Sequence, residues 1–353
     1  MQMADEIVPS PPRAKHPVRR VATVAAYTGG AIAASGVVTA GVLIGQAFLA
    51  RITIPGAEAP PPRSDGEYGE GQPGAPLRLA VLGDSTAAGY GVATRAETTG
   101  ALLASGVAAA ARRPVRLYCP AVVGSTSAML APQVEATVER GVDLAVIMIG
   151  ANDVTSNAST ASAAHHLFDA VVALRGAGAQ VVVATCPDLG TIQPIRPPLR
   201  WLARRWSRQL AAAQTVATVE AGGRTVSLGD LLGPEFAAAP ALMFGADRFH
   251  PSAEGYRAAV AAVLPTTLAA LGVPSPTGPA VAAPVSSLPQ AAAAAAARAG
   301  TEVAGAEVDG QQRGALGRWA QLRRRVRLHP PAAREAGVPV RSVAEQAEPV
   351  ESA

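Results

Sequence analysis

The chain has 353 residues, a formal net charge of +4, 49% apolar side chains and only 16% charged ones. That length holds one large domain with appendages or two domains. Lys15 is the only lysine among 30 basic residues, and nine of the arginines lie beyond residue 275. Residues 75–275 carry 15 Arg against 13 Asp and Glu. The basic balance is therefore a property of the tail and of an Ala/Gly/Pro/Arg-rich composition, and nucleic acid is not expected as a partner.

Residues 1–20 are polar and end in Arg13, Lys15, Arg19 and Arg20; residues 21–50 contain no charge; Arg51 closes them. About 20 apolar residues span a bilayer, whereas the core of a cleavable signal needs only about 7–15. A retained transmembrane signal anchor over 21–50 is therefore expected, with a cytoplasmic basic amino terminus over 1–20 and the rest exported. Cleavage after a small residue, giving a secreted protein, is the alternative. Gly41 and Gly45 form a GxxxG pair, but in so glycine-rich a stretch it carries little weight as a dimerisation signal.

Residues 51–76 read as a Pro/Gly-rich linker. The domain then runs over 77–273, with predicted strands near 77–82, 114–119, 143–149, 180–185 and 223–227 and Ala/Leu-rich helices between them. Strands alternating with helices predict an α/β fold, a parallel sheet of roughly five strands with helices on both faces. Helices are expected over 199–217 and 253–264, and His165 and His166 read as ordinary helix residues. Cys119 and Cys186 each follow an apolar run. In a sheet of order 2-1-3-4 their strands stand about three spacings of ~4.8 Å apart, too far for a disulfide, so free thiols are expected. Residues 274–353 are low-complexity and basic and are expected to be mostly disordered.

Three pieces of chemistry stand at predicted strand ends. Gly83-Asp84-Ser85-Thr86 follows the apolar run Leu79-Ala80-Val81-Leu82, which puts a hydroxyl at a sheet edge and a helix start. Gly150-Ala151-Asn152-Asp153 follows 144–149, where the Asn152 amide can donate to an oxyanion and Gly150 leaves room for substrate. Asp247-Arg248-Phe249-His250 supplies a base and its orienter from one short segment. Pro251 then restricts His250 to extended geometry. Gly124, beyond the second strand, offers a further backbone N–H. Each piece has a bland reading as a cap or turn, but that reading does not explain their joint order.

These blocks resemble the SGNH hydrolases, the GDSL-type esterases and lipases, and are most similar to exported, membrane-anchored members of mycobacteria and related actinobacteria. Gly83-Asp84-Ser85 matches the first block, Gly124 the second, Gly150-x-Asn152-Asp153 the third and Asp247-x-x-His250 the last. Thr86 stands where leucine is usual, and Cys119-Pro120-Ala121 where the second block usually carries asparagine. The resemblance implies a flavodoxin-like α/β/α sandwich with no metal or organic cofactor. It implies Ser85 as nucleophile, His250 as base, Asp247 as its partner, and Ser85, Gly124 and Asn152 as the oxyanion hole. Gly83, Asp84, Gly150 and Asp153 would support them.

An exported serine ester hydrolase with a monomeric catalytic domain, acting on a small-molecule, lipid or glycan ester, is therefore expected. A carbohydrate O-deacetylase, an envelope acyltransferase and a non-catalytic envelope-binding protein are the alternatives. Trp201 and Trp206, among four arginines in 192–206, are read either as a substrate lip or as the packing face of a helix.

Overall fold

The computed structural model describes residues 45–46, 59–156, 158–229, 234–274 and 287–304. The expected anchor over 21–50 (residues 45–46 apart), the amino terminus over 1–20 and the tail beyond 304 lie outside these residues. Among the described residues, no helix is long and apolar enough to cross a membrane.

Five strands form the parallel centre of the sheet: β2 (Leu77–Gly83), β3 (Val115–Tyr118), β4 (Leu144–Met148), β5 (Gln180–Ala184) and β6 (Arg224–Val226). Their order is β3-β2-β4-β5-β6, with Leu79 opposite Leu144 and Leu144 opposite Gln180. This is the doubly wound, flavodoxin-like order. The strands are near-continuous apolar runs because helices cover both faces. Alternate residues of β2 part accordingly. Leu79 and Val81 pack with Leu103, Val107, Val260 and Val263, while Ala80 and Leu82 pack with Leu130, Leu167, Val171 and Leu174.

The sheet is larger than expected and mixed. β1 (Gly66–Tyr68) pairs antiparallel with β3 at one edge, and β7 (Glu302–Ala304) pairs antiparallel with β6 at the other. Each edge strand has three residues, too few to show a period of two. One lies in the stretch read as linker, and the other in the stretch read as disordered tail. The alanine run of that tail contributes a helix over Leu288–Ala296 that packs against Val219.

The helices, numbered in chain order, are α1 (Ser85–Ala88), α2 (Thr99–Ala111), α3 (Leu130–Arg140), α4 (Ala151–Thr155) and α5 (Thr160–Gly176). After them come α6 (Leu199–Glu220), α7 (Pro234–Ala238), α8 (Pro240–Met243), α9 (Ala253–Ala270) and α10 (Leu288–Ala296). Thr98, Ser159 and Ser252 cap α2, α5 and α9 by accepting from backbone N–H groups of the first turn. The α9 helix continues past the expected end, through Pro265, and thereby buries Leu268 in the core. His165 sits on the surface of α5, 3.4 Å from Asp169 one turn on. Cys119 and Cys186 are free and follow β3 and β5, between which β2 and β4 intervene.

Candidate active site

Ser85 is placed by the way β2 ends. Gly83 has φ +137°, and a Cβ there would stand 1.8 Å from the Met148 carbonyl oxygen, so the turn admits only glycine. The Asp84 N–H then donates to Met148 O (3.1 Å), and the Asp84 carboxylate caps α1 by accepting from the Thr86 N–H (2.9 Å). Ser85 opens the helix with 7% of its surface exposed. Burial pushes the Asp84 carboxyl up to about 6, against the lowering effect of the Thr86 N–H.

His250 arrives from a tight loop between α8 and α9. The Gly245 N–H donates to His250 O (2.9 Å), and Arg248 adopts a left-handed φ of +54°. Asp247 Oδ1 accepts from the backbone N–H groups of Phe249 (2.9 Å) and His250 (3.0 Å). Its Oδ2 lies 2.6 Å from His250 Nδ1, and His250 Nε2 lies 3.0 Å from Ser85 Oγ. Burial alone would raise the Asp247 carboxyl; the hydrogen bonds from the His250 ring and the two N–H groups outweigh it and hold the group below its ordinary value. Nδ1 therefore donates to an ionised carboxylate, which leaves Nε2 to accept from the serine hydroxyl. The edges of Tyr90 and Phe249 pack on the imidazole with centroids 4.7 and 4.9 Å away.

Asn152, on α4, donates through Nδ2 to Ser125 O (3.0 Å), which fixes the amide and leaves its second N–H free of that bond. It lines a cavity of about 40 Å³ together with Ser85, His250, Leu189, Ile192 and Leu228. Gly150 closes β4 with φ +138° and its Cα hydrogens against Cys186. Asp153 turns away from the cavity: its carboxylate accepts from the Ser127 N–H and hydroxyl, and burial raises it above its ordinary value.

Three of the expected residues lie outside the lining of this cavity. Gly124 does not line the cavity; it is exposed, with φ +85° and open space where a Cβ would stand. Trp201 and Trp206 do not line it either, so they form no lip around Ser85. Nor are they the packing face of α6, which buries Ala203, Ser207, Leu210, Ala211 and Gln214 while Trp201 stays 67% exposed. Trp206 borders a separate cleft of about 320 Å³ with Val154, Ser159 and Gln209.

Two residues missed by sequence reasoning hold the strand ends. Gln133 Oε1 accepts from the Gly83 N–H (2.8 Å), and its Nε2 donates to Gly83 O (3.0 Å) and Ser125 Oγ (3.3 Å). Gln214 accepts from the Cys186 N–H (2.8 Å) and donates to Ile149 O (2.9 Å). The only signal in the sequence is an amide on the apolar stripe of each helix.

A three-layer α/β fold with a hydroxyl, an imidazole and a carboxylate in line at the sheet edge has the layout of a serine-type hydrolase. Residues 81–258 match the GDSL-like Lipase/Acylhydrolase family. A GDSL-like esterase of Mycobacterium tuberculosis is 46% identical over 253 residues, which are 67% of this chain and 80% of that one. Among solved structures, a catalytic mutant of the acetylxylan esterase Axe2 from Geobacillus stearothermophilus has a TM-score of 0.44 at 18% identity, over 57% of this chain and 97% of that one. The psychrotrophic esterase EstA from Pseudoalteromonas has a TM-score of 0.43 at 18% identity, over 54% and 96%. The chain belongs to the GDSL-like lipase/acylhydrolase family and is an ester-hydrolysing enzyme. Its likeness to a mycobacterial member agrees with the resemblance carried by its motifs.

Proposed function

We propose that the chain cleaves acyl esters through a Ser85–His250–Asp247 triad and a covalent acyl-enzyme, on the outer side of a membrane to which residues 21–50 anchor it. The observation that carries the mechanism is the unbroken line of contacts, Asp247 Oδ2 to His250 Nδ1 at 2.6 Å and His250 Nε2 to Ser85 Oγ at 3.0 Å. Both lie within the reach that proton transfer requires.

Ser85 Oγ attacks the ester carbonyl carbon while its proton passes to His250 Nε2. The imidazolium is held by Asp247, which stays ionised because three donors point at it. The carbonyl oxygen becomes an oxyanion facing the Asn152 amide and the Ser85 N–H, which opens α1 and so lacks an intrahelical acceptor. Collapse breaks the bond to the alcohol oxygen, which takes the proton from His250. A water molecule then attacks the acyl-enzyme by the same route, releasing the carboxylic acid and restoring Ser85. The uncharged stretch over 21–50, preceded by four basic residues, supports the anchored and exported placement.

A fluorophosphonate probe tests the mechanism. Ser85 is expected to carry the label, and Ser85→Ala to lose both label and p-nitrophenyl ester turnover. Unchanged turnover in Ser85→Ala refutes the triad.

A further inference from the structure

Gln46 lies near the carboxyl end of the uncharged stretch over 21–50 and is tied to the beginning of α6. Its Nε2 donates to Pro197 O (2.7 Å), and its Oε1 accepts from the Leu199 N–H (3.1 Å). Both ends of one amide are satisfied by one corner of the domain.

That corner presents an unusual surface. Trp201 is 67% exposed and Trp206 39%. Trp201 and Arg205 stand four residues apart on α6, opposite the stripe that Ala203, Ser207 and Leu210 bury. Arg204 and Arg208 reach back to the buried Asp188 carboxylate, and Arg200 donates to Ile195 O and Gln193 O. Arg196 and Arg205 are exposed and have no ion pair among the described residues. From residue 189 to 219 the sequence holds no Asp or Glu. A large exposed indole beside unopposed arginines is poorly served by water alone. It suits the headgroup layer of a bilayer, where indoles settle and arginines meet anionic phosphates.

We propose that the amino-terminal end of α6, through Trp201, Arg196 and Arg205, rests on the surface of an anionic lipid bilayer beside the point where Gln46 ties down the uncharged stretch. This rests on the reading of 21–50 as a membrane anchor. The docked corner continues into the site: Leu189 and Ile192, which wall the Ser85 cavity, share one apolar cluster with Ile195 and Ala203. Docking therefore holds the wall of the cavity next to the headgroup layer, where membrane-borne esters are presented.

The test uses the full chain reconstituted into vesicles of phosphatidylcholine with phosphatidylglycerol, with lipids brominated near the headgroup as quenchers of tryptophan fluorescence. Trp206 and Trp319 contribute a constant background, so the readout is the difference between wild type and W201F. Retained p-nitrophenyl acetate hydrolysis shows that the variant is folded. Expected is quenching that W201F loses, and that weakens in R196Q/R205Q or when phosphatidylglycerol is omitted. Protein that floats with the vesicles while wild type and W201F quench alike keeps the anchor and overturns the docking. Quenching indifferent to phosphatidylglycerol and to R196Q/R205Q overturns the recognition of anionic lipid. Failure to float overturns the anchor reading and the docking together. A detergent-stable dimer that W201F dissolves assigns the face to a second copy and overturns the proposal.

Discussion

The Gln133 side chain holds Gly83 by both of its backbone groups, accepting from the N–H at 2.8 Å and donating to the carbonyl at 3.0 Å. Gly83 is two residues before Ser85, and the same amide donates to Ser125 Oγ, the hydroxyl of the residue whose carbonyl accepts from Asn152 Nδ2. One buried glutamine thus links the strand end that presents the hydroxyl with the loop that steadies the amide. Gln133→Leu keeps the volume and strips the clamp, leaving the Gly83 N–H buried and unpaired while the Gly83 carbonyl keeps only the Val122 N–H (3.1 Å). A buried donor left so costs about 1–3 kcal/mol. A fall in melting temperature is expected with a larger loss in kcat than change in KM, measured by thermal denaturation and p-nitrophenyl ester kinetics. Unaltered kcat in a destabilised variant reduces Gln133 to a stability role.

Asp247→Asn and Asn152→Ala separate two jobs in the proposed mechanism. The first retains a side chain of the same shape but removes the charge that holds His250 Nδ1–H, so the wrong tautomer becomes available. A loss of up to about 10⁴-fold in kcat is the precedent for such a change in serine proteases. The second removes one oxyanion donor, worth about 2.7–4 kcal/mol or 10²–10³-fold in kcat. Fluorophosphonate labelling and steady-state kinetics on both variants check the two values. Wild-type kcat in Asn152→Ala excludes its amide from the oxyanion hole.

How much of this was legible beforehand follows from where each partner sits in the chain. The five parallel strands are readable because burial on both faces leaves continuous apolar runs such as Leu79-Ala80-Val81-Leu82. Asp247 and His250 are readable because the carboxylate and imidazole they pair are three residues apart. Gln133 and Gln214 are not, because their partners are backbone groups 50 and 65 residues away and backbone has no side-chain signature. β1 and β7 escape for the same reason, being three-residue edges recruited by pairing with β3 and β6. Trp201 misleads in both of its readings because hydrophobicity suggests a contact inside the domain, where the structure leaves the ring in the open.

Asp84 makes the stability of the domain depend on pH. Burial raises its carboxyl from an ordinary 3.8 to about 6 in the folded state, so between those values the folded chain binds more protons than the unfolded one. The contribution of this group is therefore intact below pH 3.8 and is lost as pH rises through about 6. The full difference is about 3 kcal/mol at 1.36 kcal/mol per pH unit. Asn caps a helix as well as Asp, so Asp84→Asn is expected to leave stability unchanged near pH 4 and to raise it at pH 8. Urea unfolding at the two pH values measures the difference, and equal increments at both remove Asp84 as the source.

Ile192 and Leu189 bound the space beside Ser85, and that space is small, about 40 Å³. This is room for roughly three water molecules, so an acyl chain of a few carbons fills it and a longer one must displace the wall. Ile192 is buried in the cluster that includes Leu189, Phe236 and Phe244, which makes displacement costly; truncating a buried isoleucine to alanine removes about 2–5 kcal/mol of packing. Wild type is expected to hydrolyse p-nitrophenyl acetate and butyrate with higher kcat/KM than the decanoate. Ile192→Ala is expected to move the optimum toward longer chains while lowering the melting temperature. A chain-length profile that keeps its shape in Ile192→Ala means that the acyl group lies elsewhere, along Leu228 and Ala259, which also line the cavity, and Leu228→Ala then becomes the variant that shifts it.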